Sequence, residues 1–193
     1  YENIKNLNIV NSDILKFINN KIQEKNVIVF GNLPYNISTK ILADLILLNN
    51  WPPWYNKLIL MFQKEVADRI IAKNKTKNFS RLSVLSNWRL EVKKHFDISK
   101  NCFFPKPKVT STVLSLVPKK NYEHNIKNPK NLEFVTRILF SNPRKMINKN
   151  LFKLFKDNNK IIKSLNINSS SRPGDLDCET FYKITAKYES LFE

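Results

Sequence analysis

The sequence has 193 residues, 42% of them hydrophobic, and 33 Lys or Arg against 16 Asp or Glu give it a formal net charge of +17. Its apolar content suffices for one domain and a small second one, while the lack of a long apolar run excludes a bilayer span, and two distant cysteines exclude a zinc site or disulfide framework. The charge favours a polyanionic partner such as nucleic acid, although a Lys-rich genome is an alternative source of some lysines.

The first part of the chain alternates short apolar runs with helical patterns. Residues 7–10 predict a short strand, and the continuous apolar run at 27–30 predicts a strand buried on both faces. Ser38 is predicted to cap a helix over residues 40–48. The patterns that follow predict a strand at 58–62, helices at 64–72 and 81–88, and strands at 92–98 and 110–117. This alternation predicts a mostly parallel sheet covered by helices.

The composition changes after Pro118. Residues 119–130 are polar and contain Asn, His and Pro, as is typical of a linker. Only helical patterns follow, at 132–140, 145–155, 161–165 and 178–191. We therefore expect an α/β domain over residues 1–120 and a small all-α domain over residues 121–193.

A short turn, Asn32-Leu33-Pro34-Tyr35, follows the predicted strand at 27–30, at the end where open α/β sheets bind ligands. Its residue types suit methylation of an exocyclic amino group, whose nitrogen is a poor nucleophile because its lone pair is delocalised into the ring. The Asn32 side-chain oxygen and the Leu33 carbonyl can accept the two N–H groups and draw the nitrogen towards a tetrahedral shape. Pro34 restricts the direction of the Leu33 carbonyl, and Tyr35 offers a face on which a flipped base can stack.

This chemistry needs no catalytic carboxylate or histidine pair, because positioning and acceptor geometry supply most of the effect. The alternative is a plain strand-to-helix turn, in which Asn, Pro and Gly are common.

Several motifs closely resemble those of the bacterial small-subunit rRNA adenine dimethyltransferases, the kasugamycin-resistance family. Residues 29–39 read VFGNLPYNIST and resemble the family's adenine motif. The likeness continues, in order, through FQKEVADR at 62–69, RLSV at 81–84, FFPKPKVTS at 103–111 and FSNPRKMI at 140–147. It covers almost the whole chain and implies a Rossmann-like class I methyltransferase sheet followed by a small helical, rRNA-binding domain.

The resemblance also implies an activity and its partners. S-adenosylmethionine would be the methyl donor, and the substrate would be two adjacent adenosines of 16S rRNA in the 30S ribosomal precursor, as a step of ribosome biogenesis. We expect a cytoplasmic monomer without a metal ion or a membrane anchor.

Site residues follow from the resemblance position by position. The turn 32–35 matches the motif that holds the target adenine, and Asn32 also borders the donor. Phe103 matches the phenylalanine that packs on the flipped base from the other side, with a core aromatic as the alternative. Asp13 matches the acidic residue that accepts a hydrogen bond from the donor's adenine amino group, with a simple turn residue as the alternative.

Three basic residues are candidates for contacts with RNA phosphates. They are Lys108, in the FFPKPKVTS motif, and Arg144 and Lys145, in the FSNPRKMI motif. The alternative for each of them is a solvated surface side chain.

The chain also departs from the family's pattern. The family's Gly-rich first motif and the acidic residue after it would both precede Tyr1, and Ser80 stands where the family usually has Gly. We therefore expect an N-terminally incomplete protein without the first strands of its sheet, in which this polypeptide alone lacks half of the cofactor site.

Two other functions remain open at the level of sequence. Large-subunit rRNA adenine methyltransferases of the macrolide-resistance type share the chemistry but tend to have Ile where this chain has Leu33. A non-catalytic RNA-binding or ribosome-assembly module is the alternative from another class, and binding of the methyl donor would distinguish it from an enzyme.

Overall fold

The computed structural model describes residues 7–19, 26–120 and 126–192. Within these ranges, helices and strands alternate up to residue 118 and only helices follow. The strands are β1 (Val27–Asn32), β2 (Tyr55–Gln63), β3 (Leu90–Ile98) and β4 (Ser111–Pro118). The helices are α1 (Ile14–Asn19), α2 (Ser38–Ile46), α3 (Lys64–Ile71), α4 (Arg81–Arg89), α5 (Pro129–Leu139), α6 (Ile147–Leu151), α7 (Asn158–Ser164) and α8 (Cys178–Phe192).

The four strands form one mixed sheet in the order β1-β2-β4-β3. Only β1 and β2 are parallel, whereas β4 runs antiparallel to both of its neighbours. The predicted α/β architecture is confirmed, but the prediction of a mostly parallel sheet is wrong for the described strands. The loop 99–110 joins β3 to β4 without a crossover helix, and such a connection pairs strands antiparallel.

Two predictions near the start of the chain are also wrong. Residues 7–10 are exposed and form no strand, because they pair with no strand of the described sheet. β1 is not buried on both faces: Ile28 is 53% exposed and Phe30 73% exposed, while Val29 packs against the core. β1 lies at the edge of the described sheet, and only one of its faces is covered.

Most predicted helices are confirmed, with two corrections. Ser38 is the first residue of α2 and not its cap, since the N-cap is Ile37. The helix predicted at 145–155 is reduced to α6, which spans Ile147–Leu151. It starts late because Lys145 closes a turn and Met146 is extended.

The loop between α2 and β2 is fastened by Arg89, at the end of α4. The guanidinium of Arg89 donates to the carbonyls of Ile46, at 3.2 Å, and Leu48, at 2.8 Å, where α2 ends. It lies between the rings of Trp51 and Trp88, 4.7 and 3.8 Å from their centroids. This buried cation satisfies carbonyls that a helix end leaves without intrahelical partners, and it fixes the C-terminal end of α2.

The helices after residue 126 share one continuous hydrophobic core with the sheet and its helices. The Tyr182 hydroxyl, on α8, donates to the carbonyl of Val84, on α4, at 3.0 Å. The ring of Phe79 contacts those of Phe140 and Phe181. The division into domains at residues 120 and 121 therefore stays a prediction, and its boundary falls beside residues 121–125, outside the described ranges.

Candidate active site

The turn 32–35 lies where β1 ends and α2 begins. Asn32 is the last residue of β1 and pairs with Met61 of β2. The Pro34 carbonyl accepts a hydrogen bond from the Ile37 amide at 3.1 Å, which closes the turn one residue before α2. The structure thus places the turn at the carboxyl end of two parallel strands, the usual ligand-binding edge of an α/β sheet.

Gly31 brings β1 close to the core just before this turn. A Cβ atom on Gly31 would lie 2.8 Å from the Leu60 side chain and 2.9 Å from that of Leu33. Larger residues would therefore displace Leu33, whose half-buried side chain packs in that space.

Two hydrogen-bond acceptors of the turn have no partner among the described residues. Asn32 and Pro34 are exposed, and Leu33 and Tyr35 are half-buried. Neither the Asn32 side chain nor the Leu33 carbonyl takes part in a hydrogen bond within the described part of the chain. These are the two oxygens expected to accept the N–H groups of an amine, and both are available for a ligand.

Tyr35 is held at two points. Its hydroxyl lies 2.7 Å from the Oγ atom of Ser111, the first residue of β4. Its carbonyl accepts a hydrogen bond from the Ser38 hydroxyl at 3.2 Å, at the start of α2. No role of Ser111 is predicted by the sequence; the available signal is that Ser111 ends the FFPKPKVTS motif.

Phe103 and Lys108 lie in the loop 99–110, which leads into Ser111 at the start of β4. Phe103 is half-buried, and Lys108 is exposed. The loop starts after Ile98 and ends before Ser111, and these two residues are paired in the sheet. The structure therefore connects this loop directly to the residue that holds Tyr35.

A charged group next to Ser111 fixes the ends of β2, β3 and β4. The Asp97 carboxylate accepts hydrogen bonds from the Thr112 hydroxyl at 2.6 Å, from Lys94 at 2.9 Å and from Lys64 at 3.2 Å. The Thr112 hydroxyl, followed by Lys94, holds the pKa of Asp97 well below its ordinary range. Asp97 is therefore an acceptor that stays ionised and aligns three strand ends beside the turn.

Asp13 caps α1. Its Oδ1 accepts from the Leu15 amide at 2.8 Å, and its carbonyl accepts from the amides of Lys16 and Phe17. α1 packs against α2 and buries Ile18 in the core. The carboxylate itself is exposed, and its second oxygen has lone pairs for a further donor.

Arg144 and Lys145 lie in the turn between α5 and α6. Both are exposed, and the Lys145 amide donates to the Asn142 carbonyl at 3.0 Å. Among the hydrogen bonds and salt bridges of the described residues, none joins Arg144 or Lys145 to the turn 32–35, whereas Tyr35 of the turn is hydrogen-bonded to Ser111, which follows the loop 99–110.

Within the described ranges, no group of three or more His, Cys, Asp or Glu side chains is arranged to hold a metal ion. Among the same residues, every helix is too short or too polar to cross a membrane.

Comparisons with known proteins agree with one another. Residues 2–190 match the family described as "Ribosomal RNA adenine dimethylase". The chain is similar to the ribosomal RNA small subunit methyltransferases A of Pelagibacter ubique and Xanthobacter autotrophicus, with 44% and 36% identity over 96% of this chain. It spans 70% of the first relative's length and 64% of the second's.

Two solved structures share the fold. A dimethyladenosine transferase from Plasmodium falciparum superimposes with a TM-score of 0.78, at 24% identity, over 98% of this chain and 75% of that chain. The 23S rRNA methyltransferase ErmE gives a TM-score of 0.60, at 17% identity, over 93% of this chain and 71% of that chain.

Proposed function

Because the chain belongs to the ribosomal RNA adenine dimethylase family, we propose that its gene product transfers methyl groups from S-adenosylmethionine to N6 of two adjacent adenosines of 16S rRNA. The reaction would take place in the cytoplasm, on the 30S ribosomal precursor. The observation that carries the proposal is the turn 32–35, which presents two acceptors without partners among the described residues beside a half-buried tyrosine ring.

The residues of this chain act on the adenine amine by holding it in a defined position. In the first transfer, the Asn32 side-chain oxygen and the Leu33 carbonyl accept one N–H each, so that the nitrogen lone pair is freed from the ring and directed at the methyl group. One of these protons leaves the nitrogen for water as the methyl group is added, and the remaining N–H keeps one acceptor in the second transfer. Tyr35 stacks on the base, with its ring held by Ser111, and Phe103 packs on the opposite face. Because Pro34 restricts the direction of the Leu33 carbonyl before the base arrives, little reorganisation of that acceptor opposes the reaction.

Two described residues fit the methyl donor. Asp13 keeps an exposed carboxylate oxygen after capping α1, and this oxygen can accept from the amino group of the donor's adenine. Asn32 is the last residue of β1, and its side chain can contact both the donor and the target base. The donor, when bound, supplies an electrophilic methyl group.

Lys108, Arg144 and Lys145 are proposed as phosphate contacts. All three are exposed, and none of them has a salt-bridge partner among the described residues. Lysine and arginine in this state can exchange counterions for RNA phosphates.

The large-subunit alternative is supported by fold likeness alone, since the structure from that class is 17% identical. The small-subunit relatives are similar at 36–44% identity and are therefore the better guide to the substrate.

The test is the substitution Asn32→Ala in the full gene product. It removes one of the two acceptors without adding bulk, and one hydrogen-bonding group at the reacting centre contributes roughly 100- to 1000-fold to the turnover rate. We expect the rate of methyl transfer to unmethylated 30S particles, measured with radiolabelled donor, to fall at least about 100-fold, while the affinity for RNA stays nearly unchanged.

Asn78→Ala is the matched control, because Asn78 is also exposed in a turn but lies outside the site. It should leave both quantities unaltered. Unchanged methyl transfer in Asn32→Ala would refute the role given to the turn.

A further inference from the structure

The side chain of Phe104 is fully exposed, with a relative accessibility of 103%. Its neighbour Phe103 is half-buried, so the two consecutive phenylalanines of the loop 99–110 have different surroundings. An exposed aromatic ring gains nothing from the core of its own protein. The ring of Phe104 is therefore free to contact a partner.

The loop around Phe104 is uniformly basic. Residues 99–110 contain Lys100, Lys106 and Lys108 and no acidic residue, and all three lysines are exposed. Proteins commonly bind unpaired nucleotides with exposed aromatic rings flanked by lysines. The rings stack on the bases, and the cations contact the phosphates.

Proline residues restrict the loop next to the ring. Pro105 follows Phe104 directly, and Pro107 stands between Lys106 and Lys108. Proline fixes one backbone dihedral, so fewer conformations are lost when a ligand binds. The ring is thus presented at a reduced entropic cost.

The position of the loop points to the nucleotides around the methylated base. Phe104 is six residues from Ile98 and seven from Ser111, and these two residues are paired in the sheet. Its Cα therefore lies at most about 22 Å from that of Ile98 and about 25 Å from that of Ser111. Ser111 in turn holds the hydroxyl of Tyr35.

We propose that Phe104 stacks on an unpaired RNA nucleotide adjacent to the target adenosine and holds it beside the active site. The inference rests on the proposed function and extends it, because Phe103 faces the target base itself and Phe104 takes a neighbour. A phenylalanine ring offers no hydrogen bond, so this contact adds affinity and register without selecting the identity of the base. Lys106 and Lys108 contact the adjoining phosphates.

The test measures binding of the full gene product to a synthetic RNA hairpin that carries two adjacent adenosines in its loop. We expect Phe104→Ala to raise the Kd, determined by fluorescence anisotropy, by a factor between about 5 and 150. Phe104→Trp should stay within about threefold of the wild type, because it keeps an aromatic face. Phe104→Leu should behave like Phe104→Ala, since an apolar side chain without a ring cannot stack.

Hairpins with an abasic site in place of each nucleotide that flanks the adenosines identify the partner base. At one of these positions, the abasic site should weaken binding of the wild type by the same factor as the substitution Phe104→Ala does on the intact hairpin. The same abasic site should not weaken binding of Phe104→Ala any further. Equal affinities of wild type and Phe104→Ala for the intact hairpin, or losses that add at every abasic position, would overturn the inference.

Phe192→Ala is the matched control, because Phe192 is another exposed phenylalanine and lies at the end of α8. It should bind the hairpin like the wild type. Failure of the proposed function is recognised separately, by methyl transfer that persists in Asn32→Ala. If Asn32→Ala is inactive and Phe104→Ala binds normally, only the inference about Phe104 fails.

Discussion

The position of the Tyr35 ring depends on a residue that is 76 positions away in the sequence. The ring grows out of the turn after β1, but its hydroxyl is held by Ser111 at the start of β4. A base that stacks on this ring is therefore positioned by two strands, one before β2 and one after it. We therefore infer that Ser111 acts through Tyr35 and does not need to touch the substrate.

This arrangement predicts how substitutions at the two residues combine. Ser111→Ala and Tyr35→Phe each remove one side of the same hydrogen bond and keep the ring. Each should lower kcat by about 2- to 12-fold, the effect of one hydrogen bond, with little change in the Kd for RNA. The double variant should be no slower than the slower single variant, because the bond can be lost only once.

Steady-state kinetics of the four proteins measure the coupling. Tyr35→Ala is the comparison, since it also removes the ring and should raise the Kd for RNA. Effects of Ser111→Ala and Tyr35→Phe that multiply in the double variant would show that Ser111 does not act through Tyr35.

At the scale of elements, the sequence patterns predicted the helices and strands that depend mainly on neighbouring residues in the chain. The helices predicted at 64–72 and 81–88 became α3 and α4, and the strands predicted at 58–62, 92–98 and 110–117 became β2, β3 and β4. The errors concern partners distant in sequence: the faces of β1 depend on which elements cover it, and the direction of β4 depends on its insertion between β2 and β3.

The same distinction applies to the candidate site. The turn 32–35 could be selected as a candidate from the sequence because the residue types that suit the reaction are consecutive. Its place at the end of β1 is confirmed. Ser111 and Asp97 could not be assigned roles from the sequence, since these depend on the register of β3 and β4. The roles of Asp13 and Phe103 are predictions from the resemblance.

Arg89 is an example of an element fixed by a distant residue. Its buried guanidinium binds two carbonyls at the end of α2, and it is packed between two tryptophan rings. α2 begins three residues after Tyr35, so its fixed C-terminal end helps to hold the turn in place.

We expect Arg89→Ala to lower the free energy of unfolding by about 2–5 kcal/mol, because it leaves buried carbonyls without donors and opens a cavity between the rings. Arg89→Lys should recover only part of this, since an ammonium group lacks the planar fork that reaches both carbonyls. Urea unfolding followed by circular dichroism gives these values.

Arg69→Ala is the matched control. Arg69 pairs with Glu65 at 3.2 Å on the surface, and an exposed pair of this kind contributes less than about 1 kcal/mol. Equal losses in Arg69→Ala and Arg89→Ala would contradict the structural role of Arg89.

At the scale of the whole molecule, the basic turn with Arg144 and Lys145 is attached firmly to the core. α5 ends just before this turn, and its start is held by Glu189 of α8. The buried Glu189 carboxylate accepts from the amides of Lys127 and Asn128 at 2.8 and 2.9 Å. Both helices share one hydrophobic core with the sheet that carries the turn 32–35.

The net charge of +17 predicts strongly salt-dependent RNA binding, and it allows specific contacts to be separated from the general field. If Arg144 and Lys145 each neutralise one phosphate, replacing both with Ala should reduce the slope of log K against log salt concentration by about 1.4–1.8. Affinity should fall most at low salt, where the released counterions contribute most to binding. Filter-binding titrations of the rRNA hairpin between about 50 and 200 mM salt measure this slope.

The matched control replaces Lys183 and Lys187, on α8, with Ala and removes the same net charge. Lys183 already pairs with Glu179 at 2.7 Å, and both lysines lie on a helix distant in sequence from the basic turn. Their loss weakens the long-range field but releases no bound phosphate, so the slope should change by much less than one. Equal slopes for the two double variants would show that Arg144 and Lys145 contribute only to the general field of the molecule and make no phosphate contacts of their own.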